Sequence, residues 1–286
     1  MKSATSFAVF TAFAVSSIEA LLPLSVGVCY VPWRLQSITW ETLQADMSQI
    51  SKYFKHIRTF ELSFGDYNAI DVAAAANLYI DPTVQLGNPA KIDSEINAFC
   101  EGYKRNRWAV KTVYVGNENL RNGGFGQYTV NELLGYIQRV RNCVDPSQTS
   151  VGTVQRITEW VTAPDAMILA SNCDVIGVNI YPFFTISQET SIQKLQSQWN
   201  SMITMYDPAK VRLTETGYPS AGDPYGPNTP SLQAMQEYFQ AFIQWSMDKP
   251  VSFWFIMYDS YVSFSGPNFE MYFGLFDVNG RQKFPF

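Results

Sequence analysis

At 286 residues the chain can bury a large core, as one domain or two modest ones, and 47% hydrophobic against 16% charged residues excludes a disordered or supercharged chain. A formal net charge of −5 removes the electrostatic basis for binding nucleic acid or an anionic membrane, so neither is expected as a partner.

The chain opens with Lys2, an apolar run over 7–15, and small or polar residues up to Ala20. This pattern predicts a secretion signal over residues 1–20, although Ile18 fits the small-residue cleavage rule poorly; an ordered N-terminal helix or tail is the alternative. The run is too short to span a membrane, so no anchor is expected. Removing it takes away Lys2 and Glu19 and leaves the net charge unchanged. Residues 21–286 then read as one catalytic domain.

Along that domain, apolar runs predict strands over 26–31, 57–62, 78–84, 112–115, 151–154, 175–180, 211–214 and 251–257. The runs are apolar throughout, as in Val175-Ile176-Gly177-Val178-Asn179-Ile180, which suits strands covered on both faces. Helical patterns fill the gaps. After the first strand, Thr39 is placed to cap a helix carrying Leu43, Met47, Ile50 and Phe54 at helical spacing. After the fourth, Thr129 and Glu132 form a capping-box pattern ahead of Leu133, Leu134 and Ile137. After the seventh, Thr229-Pro230 predicts a cap and first turn before Leu232, Met235, Phe239 and Phe242. Repeated strand–helix units with no linker predict the α/β class and a single (β/α)8 TIM barrel; an open doubly wound sheet is the alternative.

Barrel enzymes place their chemistry at the C-terminal ends of the strands. Two segments end there in a carboxylic acid: Val113-Tyr114-Val115-Gly116-Asn117-Glu118 and Val211-Arg212-Leu213-Thr214-Glu215-Thr216-Gly217. One such acid is as well explained by an ion pair with a nearby arginine. Two, on the fourth and seventh strands, point to a shared task. Glycoside hydrolysis needs such a pair, one carboxyl protonated to donate to the leaving oxygen and one ionised to attack or to activate water. Arg58, ending Ile57-Arg58-Thr59-Phe60, is placed to hold Glu215 ionised, with an outward salt bridge as the alternative.

Other chemistries lack their parts. His56 is the single histidine and precedes the second strand, at the wrong end of the barrel, so neither a Ser-His-Asp triad nor a histidine-rich metal site can be built. No metal and no cofactor are expected. The loop Asn122-Gly123-Gly124-Phe125-Gly126 lacks a following Lys-Ser/Thr and reads as a flexible loop over the cleft beside Glu118, not a phosphate cradle. Cys29, Cys100, Cys143 and Cys173 contain no C-x-x-C pair; one or two disulfides are possible among three pairings, and Cys29 is as well explained as a buried thiol. No permitted N-glycosylation site occurs, since Asn228-Thr229 is followed by Pro230.

From about Ser25 onward the chain resembles glycoside hydrolase family 17, the β-1,3-glucan enzymes of plant defence and fungal cell walls. The carriers are Gly27-Val28-Cys29-Tyr30, Ile57-Arg58-Thr59-Phe60, Val115-Gly116-Asn117-Glu118, Val178-Asn179-Ile180-Tyr181-Pro182-Phe183-Phe184, Thr214-Glu215-Thr216-Gly217-Tyr218-Pro219-Ser220 and Phe273-Gly274-Leu275-Phe276-Asp277. The resemblance implies that Glu118 is the acid/base and Glu215 the nucleophile. It further implies that Asn117 holds the 2-hydroxyl of the sugar under attack and that Tyr181 hydrogen-bonds Glu215. The chain departs from the family at the end of strand eight, where a common Glu-Ala-Phe-Asp run becomes Ile256-Met257-Tyr258-Asp259; Asp259 is kept and the Glu is lost. Tyr30, Trp33, Phe183, Phe184, Tyr218 and Tyr261 follow or end predicted strands and are candidates to line a sugar groove, with packing as the alternative. The expected function is a secreted, monomeric, retaining enzyme on β-1,3-glucan or laminarioligosaccharides, in the extracellular space or cell wall, passing the glycosyl unit to another glucan or to water. One alternative is a pure endo-β-1,3-glucanase; the alternative from another class is a non-catalytic glucan-binding protein.

Overall fold

The apolar runs become parallel strands because each is covered by helices outside and by the barrel's own contents inside. The computed structural model describes residues 23–286, so the predicted secretion signal lies outside the described residues. The barrel strands are β1 (Gly27–Cys29), β2 (His56–Thr59), β3 (Tyr79–Val84), β4 (Thr112–Asn117), β5 (Ser150–Arg156), β6 (Val175–Asn179), β7 (Val211–Glu215) and β8 (Phe253–Trp254). They pair in the order β8-β1-β2-β3-β4-β5-β6-β7, all parallel. The ring closes where the Thr216 N–H donates to Phe253 O (3.1 Å) and the Phe255 N–H donates to Thr216 O (2.7 Å). This is the (β/α)8 barrel and not the open sheet.

Outside the strands lie α1 (Trp40–Ile50), α2 (Ala69–Ala75), α3 (Ile92–Asn106), α4 (Val130–Arg141), α5 (Ile157–Thr162), α6 (Ala166–Ser171), α7 (Ser191–Met205) and α8 (Leu232–Ser246). Local chemistry sets their starts. Thr39 caps α1 through reciprocal bonds with Thr42, and Thr129 caps α4 through reciprocal bonds with Glu132. The buried faces are those the spacing predicts: Leu43, Met47 and Ile50 on α1, and Leu133 and Ile137 on α4.

Two local expectations are corrected, and one element is new. The cap of α8 is Ser231, whose Oγ accepts from the Ala234 N–H at 3.0 Å, two residues beyond the predicted Thr229. Strand eight covers two residues instead of 251–257: at Ile256 the backbone bonds the C-terminal segment, Ile256 N–H to Phe273 O (3.2 Å) and Leu275 N–H to Ile256 O (3.0 Å), before the Met257 N–H returns to Cys29 O on β1 (2.9 Å). A small hairpin, Ser63–Phe64 with Tyr67–Asn68, follows β2 unannounced. Cys100 on α3 and Cys143 just beyond α4 form a disulfide, whereas Cys29 and Cys173 are buried free thiols. His56 begins β2 and stacks on Tyr79 at 5.0 Å, a packing role at the barrel's N-terminal end.

Candidate active site

Regular parallel pairing breaks on the two strands that carry the acids. Between β4 and β5 the register runs from Tyr114–Gly152 to Asn117–Val154, one residue more on β4. Between β6 and β7 it runs from Val178–Leu213 to Asn179–Glu215, one residue more on β7. An extra residue reverses the in–out alternation beyond it and re-aims the following side chain. On β4 the turn also needs positive φ: Gly116 has φ +77°, and a Cβ there would stand 2.6 Å from Asn119 Oδ1 and 3.0 Å from Leu86 Cδ1. Glu118 itself adopts φ +58°, an uncommon conformation for a residue with a side chain. The Glu118 N–H is held by Val154 O at 2.8 Å, and the Asn117 N–H by Asn119 Oδ1 at 2.8 Å.

The two carboxylates meet on one amide. Asn179 Nδ2, at the end of β6, donates to Glu118 Oε1 and to Glu215 Oε1, each at 2.7 Å. Its Oδ1 accepts from Thr214 Oγ1 at 2.8 Å, which fixes which way the amide faces. Glu215 receives two further donors, Arg58 Nη1 to Oε1 (2.7 Å) and the Tyr181 hydroxyl to Oε2 (2.6 Å). Arg58 extends its other arm to Asn117 Oδ1 at 2.9 Å. Arg58, Asn117, Glu118, Asn179, Tyr181 and Glu215 therefore form one connected cluster at the C-terminal mouth.

The electrostatics separate the two acids. Burial, and then the charge of Glu215, push Glu118 up to about 7, against a smaller opposing pull from Asn179 and Arg156. Near neutrality Glu118 thus retains a proton to give. Three side-chain donors, Arg58, Asn179 and Tyr181, converge on the Glu215 carboxyl. Burial and the Glu215 charge push the Tyr181 phenol well above its ordinary range, so it remains a donor.

The remaining predicted residues are placed differently. Tyr30 and Phe183 are fully buried and offer no face to a ligand. Tyr30 donates to Asp46 Oδ2 at 2.9 Å, and Phe183 packs on Tyr218, Phe269 and Phe273. Tyr218 is buried beside it, its hydroxyl donating to Thr229 O at 3.3 Å. Asp259 is engaged by Lys283 Nζ (2.7 Å) and the Gly274 N–H (2.9 Å), a bond set that anchors the C-terminal segment and leaves it no free role in binding. Arg58 is likewise wholly buried and reaches a ligand only through the groups it holds. Ile256 is buried as well. Trp33, Phe184 and Tyr261 are exposed. The glycine-rich loop beside Glu118 is a turn closed by mutual bonds between Asn122 and Phe125 (2.9 and 3.0 Å), with Phe125 lying 3.3 Å under the Arg156 guanidinium. Asn179 is given no role by the sequence, although it stands in the Val178–Phe184 run that carries the resemblance and is the sole polar side chain between Val175 and Ile180.

The chain is 27% identical over 202 residues to a protein of Aspergillus terreus named probable beta-glucosidase btgE, across 65% of this chain and 33% of that one. It is 25% identical over 187 residues to a protein of Emericella nidulans named probable glucan endo-1,3-beta-glucosidase eglC, across 60% and 39%. The chain thus matches between a third and two-fifths of the length of these curated relatives. Among solved structures, a glycoside hydrolase family 17 beta-1,3-glucanosyltransferase from Rhizomucor miehei superposes with a TM-score of 0.76 at 21% identity, over 90% of this chain and 95% of that one. An endo-laminarinase from Formosa Hel1_33_131 superposes at 0.72 with 15% identity, over 93% and 87%. At these identities the likeness speaks for the fold. The profile of the BtgE/BtgC glycoside hydrolase domain matches residues 27–274, and the chain belongs to that family.

Proposed function

We propose that this is a retaining enzyme acting on β-1,3-glucan, with Glu215 as nucleophile and Glu118 as acid/base. The observation that carries the reading is the single Asn179 nitrogen lying 2.7 Å from an oxygen of each acid. Two oxygens sharing one such donor are near the separation of about 5–5.5 Å that double displacement requires, and too close to leave room for the water of an inverting enzyme.

In the first step a Glu215 oxygen bonds to the anomeric carbon, the glycosidic carbon–oxygen bond breaks, and the Glu118 proton passes to the departing oxygen. In the second, Glu118 takes a proton from water or from the 3-hydroxyl of another glucan, whose oxygen attacks the anomeric carbon and releases Glu215. Water gives hydrolysis and the sugar gives chain transfer; transfer is the favoured outcome. Tyr181 and Arg58 hold Glu215 in its attacking geometry. Asn117, with Oδ1 taken by Arg58, has its Nδ2 left to donate to the 2-hydroxyl, a bond that strengthens in the transition state. The names of the relatives and structural neighbours, glucan endo-1,3-beta-glucosidase and beta-1,3-glucanosyltransferase among them, support the substrate. The Cys100–Cys143 disulfide supports an oxidising, extracellular setting after loss of residues 1–20.

Incubation with laminarioligosaccharides tests the reading. Products both shorter and longer than the starting sugar are expected, Glu215→Ala abolishes them, and Glu118→Gln lowers the rate by orders of magnitude. Binding without any product would instead identify a glucan-binding protein, and full activity in either variant would refute its assigned role.

A further inference from the structure

A second feature of the mouth lies on the side away from Glu118. Trp33, in the loop after β1, and Phe264, in the loop after β8, are 42% and 39% exposed, with ring centroids 5.0 Å apart. Phe264 packs against Phe255 at 5.5 Å, and Phe255 against Tyr181 at 5.9 Å; Tyr181 is the phenol bonded to Glu215. An unbroken run of rings thus leads from the acid on β7 to the open surface. The pieces are held. Ser263 Oγ and the Ser265 N–H both donate to Glu270 Oε2 at 2.6 Å, and the Gly266 N–H donates to Ser263 Oγ at 2.7 Å, which pins the loop that presents Phe264.

Large rings left in water on pinned loops are the materials of a sugar subsite, because they offer flat apolar faces on which a sugar ring can stack. The position sets which sugar it receives. The leaving group departs on the side of Glu118, so the donor chain extends the other way, past Tyr181. Phe255 is one ring-step out and the Trp33–Phe264 pair is two. We propose that Trp33 and Phe264 form a donor-side subsite for the third glucosyl unit from the scissile bond. This rests on the glucan reading and makes donor length a property set by these residues.

The test compares kcat/KM on laminaritriose through laminarihexaose for the parent, Trp33→Ala, Phe264→Ala and Trp33→Phe. The parent gains with chain length. The alanine variants lose more as the substrate lengthens, reaching about fivefold to tenfold on laminarihexaose, chiefly through KM. Trp33→Phe keeps a ring and recovers most of the gain. The exposed positions leave thermal stability near that of the parent. If the alanine variants gain with length as the parent does, the subsite is overturned while the glucan reading stands. A parent that turns over none of these sugars overturns both.

Discussion

Asn179→Ala is the most informative single change, because one nitrogen serves both acids. The substitution removes 2.7 Å donors to Glu118 and Glu215 and leaves Arg58 and Tyr181 in place on Glu215. Hydrogen bonds to charged groups contribute about 1.5–3 kcal/mol each. If one such bond is felt in the transition state, kcat falls about 10- to 100-fold, at roughly 1.4 kcal/mol per decade. The pH profile supplies a second, signed readout. Asn179 favours the ionised form of Glu118, opposing the burial and the Glu215 charge that push that acid up to about 7. Without the amide Glu118 holds its proton to higher pH, so the alkaline limb of kcat/KM moves upward from about 7 while the maximum falls. Initial rates of reducing-end release from laminarin across pH measure both. A melting curve is needed alongside, since Thr214 Oγ1 loses its acceptor in the buried strand. An alkaline limb that stays put or moves down, with kcat near the parent value, would refute the bridging role.

Two further outcomes follow from the same charges. Because folding raises the Glu118 pKa, the folded state binds its proton more tightly than the unfolded chain, and this group's stabilising contribution is present in acid and lost as pH rises through about 7. Glu118→Gln therefore gains stability relative to the parent on going from about pH 4 to about pH 8, by about 3 kcal/mol at most, read from urea midpoints. A difference between the two proteins that does not change with pH would contradict this. Arg58→Ala leaves Glu215 buried with its ion-pair partner gone and is expected to cost about 3–5 kcal/mol, whereas adding Glu215→Gln recovers much of that loss. Strict additivity in the double-mutant cycle would show that the pair is not coupled.

The parts of this molecule that sequence makes legible are those written in local periodicity. Doubly covered strands need continuous apolar runs, and Thr39 and Thr129 begin helices through partners three residues away. Glu118 and Glu215 are visible because each ends such a run. Long-range partners carry no local mark. Asp259 belongs with Lys283, 24 residues on, and Cys100 with Cys143 among three possible pairings. An aromatic after a strand reads alike whether it turns inward, as Tyr30 and Phe183 do, or outward, as Trp33 does. Strand eight breaks off inside its apolar run where the C-terminal segment takes the backbone bonds of Ile256, and nothing in 251–257 announces that partner. Asn179 is hidden by the strand that surrounds it.

The acids are also positioned by strands that do not carry them. Arg58, from β2, ties Glu215 on β7 to Asn117 on β4 with the two arms of one rigid guanidinium. Asn179, from β6, ties Glu215 to Glu118 with one planar amide. A fully buried arginine is a poor source of net stability, because removing its charge from water offsets most of what the ion pair returns. Its value lies in geometry. Each bulged strand delivers an acid whose direction depends on a locally irregular backbone, and two planar groups from other strands then fix the distance between them. Widening the gap enough to admit a water between the acids would break charge-assisted bonds on both ties at once, and this restraint supports the proposed retaining reading over inversion.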